Sequence, residues 1–330
     1  MTVMTVTGEV PLEALGKTLM HEHLTVGFAG WELDTAAPGP DRRALVALCV
    51  DRIEELKAAG YRTLLDPCPN DVGRDVHLMR EVAAITGFNI ICATGLYTEA
   101  LGANAYWRVK SARDPDFVAR LTDLMIAELT EGVGSRKIRA GVIKLATGAA
   151  PMSDYERKVF TAGARASWAT GAPITTHTEA VLGHEQVALL SSLGVPAHRI
   201  IVGHCCGSRD HGYHMGLART GAYVGFDRFG VEDICSDEER TASLIQMIRA
   251  GALRQLIVSH DSVWCLRGEM LSQAQAARLA EQHVPLRFER VIAPRLKAAG
   301  VTDADIDTLL VANPKAYFAG DMPPPIALAA

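Results

Sequence analysis

Short apolar runs alternate along the chain with amphipathic stretches of helical length, and this alternation is its dominant pattern. Eight runs read as strands: Thr18–His23, Arg62–Pro67, Asn89–Tyr97, Ala140–Ala146, Pro173–Thr178, Ile200–Cys205, Ala222–Asp227 and Gln255–Asp261. Most are continuous β-branched and aliphatic runs, as parallel strands buried on both faces require. Between them the spacing predicts helices. Asp41–Ala59 carries Leu45, Leu48, Ile53 and Leu56 at steps near three and four. Asp116–Glu131, Asp154–Thr170 and Asp237–Ala250 each begin near an acidic residue, which suits a helix N-terminus. Gly60, Gly87, Gly171, Gly194, Gly221 and Gly251 close helical patterns shortly before the next strand, where a left-handed residue ends a helix.

Eight strand–helix units in succession predict an α/β fold, a (β/α)8 TIM barrel forming one domain over residues 1–330, with 321–330 as a loose or docked tail. An open doubly wound sheet is the alternative, but no Gly-x-Gly-x-x-Gly turn follows the first strand. The 330-residue length fits one barrel.

Composition narrows the partners. The formal net charge is −5 and Lys and Arg form no basic block, so nucleic acid is not expected. No apolar run approaches the ~20 residues that span a bilayer, and Met1–Val10 lacks the basic head and apolar core of a secretory leader. The seven cysteines read as reduced thiols rather than a disulfide framework, which points to the cytoplasm.

A barrel of this kind gathers functional groups at the C-terminal ends of its strands, and polar residues fall there in five strands of eight. The first ends in His21-Glu22-His23, where alternation turns both imidazoles inward and Glu22 away. The fourth carries Lys144 inside the apolar run Gly141-Val142-Ile143-Lys144-Leu145. Such a lysine either snorkels out of the strand end or answers burial by losing its proton. The fifth, sixth and eighth end in His177, His204 and His260-Asp261. Only eleven histidines occur in the chain, and four of them stand at inward-facing strand ends. Imidazoles with one carboxylate suit zinc and similar divalent ions. Asp66, at the end of the second strand, is expected to hydrogen-bond a ligand histidine or the loop backbone. Adjacent Cys205 and Cys206 face opposite ways and read as small buried thiols, and His260 faces the helices.

The ordered set Leu19-Met20-His21-Glu22-His23, Gly141-Val142-Ile143-Lys144, Thr176-His177-Thr178, Gly203-His204 and Ser259-His260-Asp261 resembles the phosphotriesterase family of the amidohydrolase superfamily, from Gly8 to about Asn313-Pro314. The resemblance implies a binuclear metal centre at the C-terminal face of the barrel. His21, His23 and Asp261 would hold the more buried ion, and His177 and His204 the more exposed one. Lys144, carboxylated on its amine, would bridge them together with a hydroxide. Zinc is the first expectation, with cobalt, manganese or iron as alternatives. Asp261 is then the candidate general base, and the family suggests a homodimer.

Two positions lean toward the lactonase-like branch of that family: Tyr97, where phosphotriesterases proper tend to have tryptophan, and Asp227-Arg228-Phe229-Gly230. Tyr97 and Arg228 would position a lactone or related carboxyl ester, unless Arg228 merely pairs with Asp227. Trp31, Phe28, Phe229 and Trp264 would give apolar walls, or pack their own loops. The expected activity is ester hydrolysis on a lactone with slow phosphotriester hydrolysis beside it. Alternatives are a true phosphotriesterase and, from another class, a non-catalytic barrel that binds a small ligand.

Overall fold

The computed structural model describes residues 1–37, 39 and 41–326. Eight parallel strands form the barrel wall: β1 (Lys17–Leu19), β2 (Tyr61–Asp66), β3 (Asn89–Gly95), β4 (Val142–Ala146), β5 (Ile174–His177), β6 (Ile200–Val202), β7 (Tyr223–Phe226) and β8 (Leu256–Val258). They pair in chain order from β1 to β8. The circle is completed above β1 and β8, where Glu22–His23 pairs in parallel with Ser262–Val263. Asp261 N–H donates to His21 O at 3.0 Å and Trp264 N–H to His23 O at 3.0 Å, so closure takes place at the level of the strand-end histidines.

Period-two alternation divides each strand between two cores. Leu65, Ile91, Val142, Ile201, Tyr223 and Ile257 fill the lower barrel interior. Leu64, Ile90, Ile143, Ile200, Val224 and Leu256 face the helices. Each fully buried aliphatic side chain contributes about 1.5–3 kcal/mol. Lys144 lies two residues beyond Val142, on the same inward face, so the alternation that packs the floor carries its amine into the layer above.

The surrounding helices start and stop on local signals. Arg42–Ala58 is capped by Asp41 and buries Leu45, Cys49, Ile53 and Leu56; Leu48 is only half-buried, because the stripe passes through Cys49. Asp154–Thr170 begins in a capping box between Ser153 and Glu156 and ends at left-handed Gly171, φ 72°.

Most strands are shorter than the apolar runs that predict them: β1 stops at Leu19, with pairing resumed at Glu22–His23, and three others end in a turn. β3 stops at Gly95, β6 at Val202 and β8 at Val258, because the chain then turns through positive φ at Gly95 (132°), His204 (62°) and Asp261 (54°). A left-handed non-glycine residue costs roughly 1–2 kcal/mol, and such strain gathers at functional sites. Glycine at 95 also permits close packing: a Cβ there would lie 1.9 Å from Lys144 O. The described part of the tail is docked, with Gln255 Nε2 donating to Pro324 O at 2.6 Å; residues 327–330 of the expected 321–330 tail lie outside the described residues.

Candidate metal centre

The strand ends converge on a cavity of about 510 Å³, its open mouth included, lined by His21, His23, Val26, Phe28, Cys68, Pro69, Val72, Tyr97, Lys144, His177, His204, Arg228, Asp261 and Val263. The six residues marked by strand-end position and family motif thus stand together. Asp261 is their hub. Its Oδ1 lies 3.4 Å from His21 Nε2 and 3.2 Å from His23 Nε2, and its Oδ2 lies 3.8 Å from His204 Nε2. The ring centroids of His21 and His204 are 4.7 Å apart, and those of His204 and His177 are 4.6 Å apart. Lys144 Nζ lies 3.4 Å from His21 Nε2 and donates to Thr176 O at 3.3 Å.

The electrostatics of the cluster follow from burial and from the two aspartates. Burial pushes the Lys144 ammonium down to about 8 and the His177 imidazolium down to about 4. Burial also holds His204 well below the ordinary imidazole value. Burial alone would raise Asp261, but His204, His21 and His23 outweigh it and hold the carboxyl well below the usual carboxylate range. His23 goes the other way: burial alone would lower it, but Asp261 and Asp66 outweigh it and hold it well above the ordinary imidazole value, so it must give up a proton to ligate. Neutral imidazoles at His21, His177 and His204 and an anionic carboxylate are the states that ligate divalent cations. His21, His204 and Asp261 each offer a donor atom, and these atoms all lie within 4.8 Å of one another. The donor set fits a divalent metal ion.

Outer partners orient the rings. Asp227 accepts from His204 N–H at 2.8 Å and lies 3.1 Å from His204 Nδ1 through Oδ1, while its Oδ2 lies 3.2 Å from His21 Nδ1. Asp227 therefore faces the histidines, not Arg228. Asp66 Oδ1 lies 3.3 Å from His23 Nδ1, and its two oxygens accept from Cys68 N–H and Leu24 N–H at 3.0 and 2.9 Å. The loop-backbone half of the expectation for Asp66 holds; its approach to His23 Nδ1 is a charge contact and not an aligned hydrogen bond. Glu22 turns away from the cavity, as alternation requires, and accepts from His260 N–H at 2.9 Å and Ser259 Oγ at 2.8 Å. His260 Nε2 accepts from Phe288 N–H at 3.0 Å, on the helix side of the wall. Cys205 and Cys206 are buried, with Cys205 Sγ directed to Val202 O at 3.1 Å.

Around this cluster the structure sorts the remaining candidates. Arg228 does not pair with Asp227; its Nε donates to Asp261 Oδ2 at 2.9 Å. Tyr97 OH lies 3.2 Å from His177 Nδ1. Of the four aromatic residues named for the pocket walls, Phe28 alone lines the cavity. Trp31 lies under the Arg267 guanidinium, 5.1 Å from its ring centroid. Phe229 is buried against Phe288 at 6.2 Å, and Trp264 is buried with its Nε1 donating to Ser262 Oγ at 3.1 Å. Each of the three finds its partner away from the cavity, so Val26, Pro69, Val72 and Val263 supply the apolar wall in their place.

Two acids escaped the sequence reading. Glu179 Oε1 lies 2.9 Å from His177 Nε2; its only signal in the sequence is its place two residues beyond the strand-end histidine. Asp71, in the loop after β2, accepts the Tyr97 N–H at 2.9 Å, and nothing in the sequence links the two. Burial pushes the Asp71 carboxyl up to about 6, from an ordinary 3.8. The fold thus favours its neutral form. The resulting stability is present below about pH 4 and is lost as pH rises through about 6. Asp71→Asn keeps an acceptor for Tyr97 and removes this titration. Its Tm relative to wild type should therefore climb between about pH 4 and pH 7, and a flat difference in calorimetric scans would contradict the assignment.

The phosphotriesterase family model matches residues 1–318. A phosphotriesterase homology protein of Mycobacterium tuberculosis is 33% identical over 316 residues, covering 95% of this chain and 96% of its own. Among solved structures, the organophosphorus hydrolase of Deinococcus radiodurans superposes with a TM-score of 0.91 at 38% identity, over 96% of this chain and 97% of that one. A mutant of the PTE-like lactonase of the same organism gives 0.91 at 36% identity, over 96% and 100%. The barrel, the converging histidines and these matches agree: the chain belongs to the phosphotriesterase family, as a metal-dependent hydrolase acting on ester bonds.

Proposed function

We propose that this hydrolase opens lactones or related carboxyl esters and hydrolyses phosphotriesters slowly as an accompanying activity. The observation that carries the reading is the joint placement of Tyr97 and Arg228 on the cavity wall, one against His177 and the other against Asp261. A hydroxyl and a guanidinium on that wall suit the carbonyl and ring oxygens of a lactone, and the apolar wall of Val26, Phe28, Pro69, Val72 and Val263 suits an acyl chain. Similarity to a PTE-like lactonase supports it. Similarity to an organophosphorus hydrolase supports the second reading, a phosphotriesterase proper.

In this proposal His21, His23 and Asp261 would hold one ion and His177 and His204 the other, with carboxylated Lys144 as a further ligand. Zinc is the first candidate, with cobalt, manganese or iron as alternatives. Two such ions, when bound, lower the pKa of a shared water and polarise the substrate oxygen. The chain's own groups do the rest. Tyr97 and Arg228 hold the lactone so that its carbonyl carbon faces the nucleophile. As the new C–O bond forms and the ring C–O bond breaks, Asp261 takes the nucleophile's proton and delivers it to the departing alkoxide. Water and lactone thus become one hydroxy acid.

A panel of lactones, esters and phosphotriesters, assayed with zinc-, cobalt- and manganese-loaded protein, tests the reading. Lactones should give the highest kcat/KM; far faster turnover of a paraoxon-like triester would reverse the order. Arg228→Ala should lower kcat/KM for lactones by roughly ten- to a hundredfold, the value of a hydrogen bond to a charged group, and affect triesters less. Equal losses on both substrates would deny Arg228 a part in lactone recognition. The seven unpaired cysteines support a reducing compartment such as the cytoplasm. No described helix is long and apolar enough to cross a membrane. We take the working unit to be a homodimer, and sedimentation of the purified protein tests it.

A further inference from the structure

Behind His23, on the side away from Asp261, stands a second group of donors that the hydrolytic reading does not use. His23, Asp66 and Cys68 each present a ligand atom, and the three atoms lie within 4.8 Å of one another. All three residues are buried. Asp66 Oδ1 lies 3.3 Å from His23 Nδ1, yet the pair is not aligned for a hydrogen bond, and Nδ1 has no hydrogen-bond partner among the described residues. Cys68 Sγ makes one weak bond, to Val72 O at 3.0 Å. Cys68 also lines the main cavity, which opens a path from solvent.

We propose that His23 Nδ1, Asp66 and Cys68 form a separate site for a soft, thiophilic divalent cation such as cadmium, next to the catalytic centre and sharing His23 with it. One sulfur, one imidazole nitrogen and one carboxylate oxygen form a mixed set that a hard cation would reject and a thiophilic one selects. Binding makes three donor–metal bonds, and the Cys68 thiol proton and the His23 Nδ1 proton leave to solvent. His23 then serves both centres through its two ring nitrogens. A cation at the new site draws on the imidazole that faces Asp261, so toxic soft metals act on the hydrolase without displacing its own ions. The competing account of Cys68 is a buried thiol that only packs.

The experiment uses full-length protein saturated with cadmium and then dialysed, compared as wild type, Cys68→Ser and Cys68→Ala. The catalytic donor set contains no sulfur, so the ultraviolet thiolate-to-cadmium charge-transfer band reports the new site separately. Wild type should bind one more cadmium per chain than either variant, with a band that both variants lose. Cadmium NMR of wild type alone, which needs no variant to fold, should show a resonance in the single-thiolate range. Equal uptake with identical difference spectra, or no sulfur-ligated resonance, overturns the proposal. The cadmium ions retained by all three proteins test the hydrolytic centre independently, so failure of one reading is distinguishable from failure of the other.

Discussion

Asp261→Asn protein should fold normally and bind substrate, but turn it over about 10²–10⁴-fold more slowly than wild type, the usual worth of a positioned proton acceptor. The substitution preserves shape and removes charge. In the wild type that charge faces His21, His23 and His204 and receives the Arg228 Nε–H at 2.9 Å. In the proposed mechanism asparagine could not accept the proton that passes from nucleophile to leaving group, and as a neutral ligand it would also weaken the hold on a metal ion. Steady-state kinetics on the best lactone, with metal analysis of the same sample, separates the two effects. A low kcat with the metal content intact identifies proton transfer as the lost step; a proportional loss of metal identifies ligation. A variant that keeps most of the wild-type rate would assign the base elsewhere. This result also decides against a barrel that only binds ligands, since binding without turnover would survive the change.

Lys144→Ala should lose metal affinity by more than about 100-fold, beyond the 10–100-fold typical of a group that only orients a ligand. Lys144 is 1% exposed. Burial pushes its ammonium down to about 8, so a useful fraction of neutral amine exists at mildly alkaline pH. That amine can add to carbon dioxide, forming an N–C bond and releasing one proton, and the product carries the negative charge that an ammonium lacks. Wild-type protein assembled with carbon-13 bicarbonate should therefore show a carbamate resonance that the variant lacks. Acetate or propionate should restore part of the variant's metal content and activity by entering the space vacated by the side chain. If Lys144→Ala retains two ions without added carboxylate, the lysine is no ligand and its burial needs another explanation.

The sequence was most informative where local periodicity alone fixes geometry. Alternation along His21-Glu22-His23 determined which side chains enter the barrel, and the structure follows it: His21 and His23 line the cavity while Glu22 turns to His260. For Lys144 the sequence left two outcomes, snorkelling or burial, and the fold decides for burial in the cavity wall. Helix ends were legible for the same reason, because a cap such as Asp41 or Gly171 acts on neighbouring residues.

Loop side chains were another matter. Arg228 adjoins Asp227 in sequence, yet Asp227 is drawn to His204 and His21, and Arg228 turns to Asp261, thirty-three residues away. Phe229 and Trp31 look like pocket walls in one dimension, but Phe288 and Arg267 claim their faces. Asp71 reaches Tyr97 across twenty-six residues, and Cys68 meets His23 only because β2 ends beside the closure of the barrel. The chain by itself determined the eight strand–helix units, the helix boundaries and the residue types at each strand end, since these depend on spacings of two to four residues. Tertiary structure decided which carboxylate meets which histidine, which apolar groups face the substrate and where the strands stop, since those depend on residues that packing alone brings together.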